Sequence, residues 1–575
     1  MRPLSPVVLT ALATGCGPRV PPTAHPAGAE SPFEELSSRF LEDFLRVNPV
    51  AATGLGDHRY DHLWPDIDAP ALQRQAEWLR AVQAQVAALP VQDLPLEQQV
   101  DAAILAHQLA WEEFTLREER PWSTDPLTAV TTVGVGLDSL VSRDFAPIEQ
   151  RMVSLQGRLE GLPAFLEAAR VHLERPPRVH TETAIAQNAA LLAWVEGPLR
   201  EEFPEGHAAA LDAAADQAGL ALRDFQGFLE RDLLPRSDAD FRLGAARFEQ
   251  KLRFSLDTDM DSRAVLDAAW ALLDETSARM AEDAAALYPE LFPGQAPPAD
   301  PHERIRRVLD RLAEEHPDDD SIIAEAQRDL EEATRFVGEH DLVSLPDEAV
   351  RVIVMPEFRR GVAIAYCDAP GPLEAQRETF YAIAPPPAAW PEARRASFYR
   401  EYNSAMLQEL TLHEAMPGHF LQMAHAARFD SPVRSVFSSG TFTEGWALYA
   451  EWAMAEAGYG GPRVRLQREK MVLRLCLNAI LDQGIHAGSL EHDEAIALMR
   501  ERGFQEEGEA EGKWTRACLT SAQLSTYLVG LLEVMALRRD YEAAQGSSFE
   551  ARVFHDALLS HGTPPPRHVR RLLGI

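Results

Sequence analysis

From Pro32 to about His340 apolar residues return at steps of three and four with charges between them, in runs such as "ALQRQAEWLRAVQAQVAAL", "EQQVDAAILAHQLAWEEF", "MVSLQGRLEGLPAFLEAARVHL" and "AQRDLEEATRFVGEH". That spacing keeps one face of a helix apolar, so the stretch predicts a succession of amphipathic helices. No segment recurs at a fixed interval, which argues against a repeat solenoid. Between about 349 and 387 the pattern changes to short β-branched or aromatic runs, "AVRVIVMPEF", "GVAIAYCDA" and "ETFYAIAPPP", bounded by Pro, Gly and Asp. These predict three short strands, forming a small antiparallel sheet whose exposed edge can pair with an extended peptide. Helical patterns resume from about Glu392 to the end. The body thus divides into a helical lobe over 32–340 and a second lobe over 341–575 with strands and further helices.

The first residues follow a different pattern. "MRPLSPVVLTALATGCGPRV" has one early arginine, an apolar run from Leu4 to Ala13 and small residues ending in Cys16. It has the outline of a secretory signal, too short to span a bilayer as a stable helix. The "ALATGC" end resembles a bacterial lipoprotein cleavage box, with Ala13 where leucine is more usual and Cys16 as the acylated first residue of the mature chain. Residues 17–31, "GPRVPPTAHPAGAES", are rich in Pro, Gly and Ala without periodicity and read as a flexible tether. The expectation is an exported protein of the bacterial cell envelope, membrane-attached only through lipid.

At 575 residues, with 46% hydrophobic and 25% charged positions, the chain can bury more than one core. Its net charge of −34 argues against nucleic acid as a partner, since a phosphate-binding surface needs concentrated Lys and Arg and no such run appears. The four cysteines, Cys16, Cys367, Cys476 and Cys518, are too few and too scattered for a disulfide framework or a cysteine zinc knuckle.

Candidate chemistry concentrates in "LTLHEAMPGHFLQ", residues 410–422. Tyr402, Met406, Leu410 and His413 fall at steps of four, four and three, so His413 continues a buried helical face; taken alone, it is equally a hydrogen-bonded core histidine. His419 lies six positions on, which on an undistorted helix leaves it roughly 120° around and about 9 Å along from His413. Pro417, however, lacks an N–H, and its ring would meet the carbonyl of His413 in a continuing helix. Gly418 supplies the freedom for an irregular turn. A bulge over Met416–Gly418 that absorbs two residues would restore the four-residue spacing of a zinc-binding HExxH pair. The third ligand is expected from "SGTFTEGWALYAEWAMAEAG": Glu444, with Gly445 beside it allowing close helix approach, or Glu451 two turns on. Glu451 is alternatively an acceptor that orients a ligand imidazole. One zinc ion on His413, His419 and Glu444 would leave an open position, with Glu414 as general base.

The segments "YNSAMLQELTLHEAMPGHFLQ" and "TEGWALYAE", with "ATGLGDHRYDHLWPDID", "LDQGIHAG" and "RACLTSAQLSTYLVG", resemble the domain of unknown function 885 (DUF885) family of bacterial proteins, often exported or lipid-anchored. The resemblance spans nearly the whole mature chain. It implies a mainly α, two-lobed fold akin to gluzincin zinc peptidases, with a deep groove over the metal, and it supports His413, His419 and Glu444 as ligands and Glu414 as base. On the signature segments, Tyr527 and His486 are candidates to donate to a developing oxyanion. Arg516, with Gln523, is a candidate for binding a substrate carboxylate, an ordinary ion pair being the plainer alternative. Where relatives read PGQA, this chain has Ser521, Ala522, Gln523 and Leu524. In "GDHRYDHLW", Asp57, His58, Asp61 and His62 read as a solvated loop rather than a second metal site, and His425 as a surface histidine.

The sequence therefore points to a zinc metallohydrolase acting on short peptides. The alternatives are an envelope lipoprotein that keeps the fold as a non-catalytic binding module, or hydrolysis of a non-peptide amide or ester at the same site.

Overall fold

A computed structural model of the chain describes residues 31–355, 364–374, 378–387 and 390–575. The expected signal segment 1–16 with Cys16, and the expected tether 17–31 apart from Ser31, lie outside the described residues. The first helix, Pro32–Val47, begins at a capping box: Ser31 Oγ accepts from the Glu34 N–H at 3.2 Å and the Glu34 carboxylate accepts from the Ser31 N–H at 2.6 Å.

The helices predicted from the three-and-four spacing are present, and their ends follow capping chemistry. Ala69–Ala87 starts where Asp68 accepts from the Ala71 N–H, has a proline in its first turn, and buries Leu79, Val82 and Val86. Helices Pro126–Val141, Ile148–His172, Arg178–Glu196 and Ala208–Phe228 enclose one apolar core. A second gathers Phe33, Phe40, Leu79 and Leu105 with Val433 from far along the chain. The largest runs from Phe248 to Val569. It therefore includes the long helix Ser262–Leu291 and the helix Ile322–Glu339, which pack together with the histidine-bearing segment across the 340/341 division drawn from the pattern. Among the described residues no helix is long and apolar enough to cross a membrane.

The three strands are β1 (Val350–Val354), β2 (Ala365–Asp368) and β3 (Thr379–Ile383), in the order β1-β3-β2. The sheet is mixed, not antiparallel as the pattern suggested: β3 runs antiparallel to β2 but parallel to β1. The chain reverses twice, so its first and third strands point the same way and lie side by side. Two bonds fix the sheet against the histidine motif. Tyr381 Oη in central β3 lies 3.2 Å from Thr411 Oγ1, and the Cys367 N–H in edge strand β2 donates to the Glu414 carboxylate at 3.0 Å.

Candidate metal centre

The helix Ser404–Glu414 starts at Asn403, whose side chain accepts from the Met406 N–H, and ends at Glu414. The expected bulge is a full break: Ala415 leaves helical geometry, the Met416–Pro417 peptide is cis, and a new helix, His419–Ala426, begins after Gly418. The Gly418 N–H reaches back to the Leu412 carbonyl at 2.9 Å, and a Cβ there would overlap the His413 carbonyl, so only glycine fits. The indole N–H of buried Trp446 caps the turn by donating to the Pro417 carbonyl at 2.9 Å. The imidazoles of His413 and His419 consequently meet, ring centroids 4.7 Å apart and nearly perpendicular.

Glu444 arrives on the helix Gly440–Glu456, which lies backbone to backbone on Thr526–Gln545. A Cβ on Gly445 would overlap Gly530, and one on Gly530 would overlap the Thr441 carbonyl. Glu444 Oε2 then sits 3.5 Å from His413 Nε2 and 3.8 Å from His419 Nε2, and the donor atoms of the three residues all lie within 4.8 Å of one another. This is the only such grouping of three or more His, Cys, Asp or Glu among the described residues. Glu444 Oε2 is buried without a hydrogen-bond partner. A buried carboxylate oxygen left unpaired between two imidazole nitrogens is what a cation site looks like. The spacings are close to the roughly 3.3 Å expected between ligands on zinc bonds of about 2.0–2.1 Å.

The roles of the two glutamates on this helix separate. Glu451 Oε1 accepts from His413 Nδ1 at 2.6 Å, which places the ring proton on Nδ1 and frees Nε2 toward Glu444. Burial disfavours charge on His413, but the neighbouring carboxylates of Glu444 and Glu451 hold its pKa well above the ordinary value. His419 is pushed down to about 4, by burial first and then by His413. Burial would raise Glu444, yet the two histidines and Arg516 hold it below the ordinary carboxylate value. Burial lifts Glu414 to about 7; His413 and the Cys367 N–H oppose the rise and the Glu444 charge adds to it.

Arg516, Gln523 and Tyr527 come together: the guanidinium donates to Gln523 Oε1 at 2.9 Å and to Tyr527 Oη at 3.2 Å. Arg516 is near enough for its charge to act on Glu444. His486 does not join them. It is buried, stacks on Phe248, and its Nε2 faces the carbonyls of Ala517 and Thr520 at 2.8 and 2.7 Å. Its N–H is thus committed to the backbone between Arg516 and Gln523, and the oxyanion role expected of it gives way to bracing. Asp482 holds the same loop through the N–H groups of Ala522 and Ser525, and Ala522, at the glycine position of the relatives' motif, has φ +64°.

Two further expectations are corrected. "GDHRYDHLW" is solvated at Arg59, His62 and Leu63 as expected, but it packs into a junction at His58 and Asp61. His58 bridges Asp61 at 3.0 Å and Glu374 at 2.8 Å, stacked 3.7 Å from Phe145; Asp61 accepts from the Thr53 hydroxyl, which in turn accepts from fully buried Arg158. His425 is half-buried, bonded to the Ser344 carbonyl at 2.8 Å. The sequence reading missed Cys367, whose role is played by its backbone, and Glu409, one turn before His413. Burial, then the charge of Glu451, holds Glu409 well above the carboxylate range; its spacing from His413 was the available signal.

A family model described as "Bacterial protein of unknown function (DUF885)" matches residues 49–573. Among solved structures, a "putative lipoprotein of unknown function" from Shewanella oneidensis is similar at 30% identity and a TM-score of 0.81, covering 95% of this chain and 100% of that one. A "putative lipoprotein" from Colwellia psychrerythraea shares the fold at 17% identity and a TM-score of 0.78, covering 95% and 99%. No curated protein matches the chain.

Proposed function

We propose that this chain, which belongs to the DUF885 family of bacterial proteins, is a zinc-dependent metallohydrolase that cleaves short peptides, with a two-lobed, gluzincin-like arrangement and a groove over the metal. The observation that carries this reading is the convergence of His413, His419 and Glu444 around an unpaired buried oxygen. Those three residues would hold the ion. Zinc there would supply a Lewis acid that polarises a carbonyl and acidifies water.

The remaining steps belong to the protein's own groups. Glu414, with a pKa of about 7, is poised to take a proton from the attacking water and return it to the leaving amine. The Cys367 N–H holds Glu414 Oε2, leaving Oε1 for water. Tyr527, anchored by Arg516, would donate to the developing oxyanion, and Arg516 with Gln523 would meet a substrate carboxylate. Edge strand β2 borders Glu414, where an extended peptide can lie alongside it. The description of both solved relatives as lipoproteins favours an envelope location through acylated Cys16.

The test is metal analysis of the purified mature chain, followed by hydrolysis of a mixed peptide library with and without chelator. One zinc per chain, chelator-sensitive cleavage and loss of turnover in Glu414→Gln are expected. Full turnover in that variant would overturn the mechanism. Zinc without hydrolysis of peptides, amides or esters would leave a binding module.

A further inference from the structure

Strand β2 is four residues long and pairs on one side only, with β3. Their register ends where Asp368 faces Phe380. One residue before that end, the Cys367 N–H is spent on Glu414 Oε2 rather than on the ladder, at 3.0 Å. The direction of the Glu414 carboxylate thus depends on where the end of a short edge strand lies, and such ends open locally at little cost unless something ties them down.

Arg143 ties this one. Just past the last ladder pair, its Nη1 donates to the carbonyls of Asp368 and Ala369, both at 3.3 Å, and lies 2.8 Å from Asp368 Oδ1. Its Nη2 donates to the carbonyl of Glu378, the residue before β3, at 2.6 Å. A single planar guanidinium therefore joins the end of β2 to the start of β3, a span that needs its forked donors. The loop presenting Arg143 is held in turn: buried Arg151 pairs with Asp144 and donates to the carbonyls of Leu140, Val141 and Ala146 at 3.1–3.4 Å. Leu137 and Leu140, on the helix before that loop, lie in the core of the N-terminal helices, whereas Ala365 and Tyr381 lie in the core around the histidines. Arg143 reaches from one to the other.

We infer that Arg143 is a positioning residue for Glu414: by tying the end of β2 to β3 and to the N-terminal helices, it keeps the Cys367 N–H on one carboxylate oxygen and leaves the other for water. The role of Glu414 as base rests on the peptidase reading; the link from Arg143 through Asp368 and Cys367 to Glu414 stands without it. Arg351 supplies a contrast. It lies over the same Phe380 ring, at 5.5 Å against 5.7 Å for Arg143, and pairs with the Glu378 carboxylate, but among the described residues it makes no bond to β2.

The experiment labels the full mature chain with isotope-enriched cysteine and reads the backbone amide signals by NMR. Cys367→Ser identifies the Cys367 signal, and buried Cys476 and Cys518 serve as internal references. An N–H that donates to a carboxylate is shifted by that charge, so Glu414→Gln marks the displacement that accompanies its loss. Arg143→Met keeps the length and removes every donor; it is expected to move the Cys367 signal in the same direction, at least about half as far, with both references in place. Arg351→Met is expected to move none of them. Arg143→Lys, whose single nitrogen cannot span both strands, gives a smaller displacement of the same sign and is the deciding variant if Arg143→Met does not fold. A Cys367 signal unmoved by Glu414→Gln or by the deciding Arg143 variant, or moved equally by Arg351→Met, would overturn the inference. Where the peptide library yields a substrate, Arg143→Met lowers kcat about tenfold or more with KM within about twofold, and an unchanged kcat would overturn the inference as well. The amide signal is read without turnover or metal, so failure of hydrolysis in the parent protein would count against the peptidase reading alone.

Discussion

Glu451 Oε1 lies 2.6 Å from His413 Nδ1, on the side of the imidazole opposite the nitrogen that faces Glu444. A carboxylate there makes the ring a better electron donor and fixes its orientation. Glu451→Gln keeps the shape and removes the charge. Zinc affinity, measured by competition with a chelator, should fall about 10- to 100-fold. Retention of wild-type affinity would count against His413 as a ligand.

The two helices that bracket Glu444 touch at Gly445 and Gly530, with no room for a Cβ on either. Gly445→Ala forces them apart, and overpacking of this kind destabilises by about 1–3 kcal/mol. Glu444 immediately precedes Gly445, so its carboxylate is displaced as well. Urea unfolding of metal-free protein reads the first effect, and zinc titration of the still-folded fraction reads the second.

Ala522 occupies a left-handed backbone conformation that disfavours a Cβ. Ala522→Gly relieves that crowding at some loss of chain entropy on folding, for a net gain of about 0.5–1 kcal/mol. A raised melting temperature with unchanged zinc binding is the expected result.

His58 makes a pH-dependent contribution through the junction it forms with Asp61 and Glu374. Burial favours its neutral form, but hydrogen bonds to Asp61 and Glu374 outweigh burial and raise its pKa above 6.5. The folded state then holds the proton more tightly than the unfolded chain does. Its stabilisation is fully present below pH 6.5 and is lost as pH rises through the folded-state pKa. The stability difference between wild type and His58→Gln should therefore be largest near pH 5.5 and smaller at pH 9, as judged from urea midpoints. A difference independent of pH would show that the ring acts through packing alone.

The sequence disclosed those parts of the molecule that local physics determines. Apolar steps of three and four locate the helices, and Pro417 followed by Gly418 predicts that His413 and His419 cannot share one regular helix. The same residues, with Glu444 beside Gly445, were enough to assemble the three donors, although a bulge was expected where the helix stops and restarts. What escaped depends on partners distant in sequence. The pairing of β1 with β3 is decided by how the chain doubles back. His486 reads as a donor until the carbonyls of Ala517 and Thr520 come to it, and His58 reads as solvated until Glu374, 316 residues away, closes over it. Arg143 carries no one-dimensional signal, because its hold on Asp368, 225 residues on, is a property of the packed molecule only.

Trp446 is two residues past Glu444, and its indole grips the carbonyl of Pro417, in the turn that separates the imidazoles. The element that delivers the carboxylate thus also clasps the hinge that aligns the two nitrogens. Loosening that clasp is therefore expected to disturb the carboxylate and both imidazoles together.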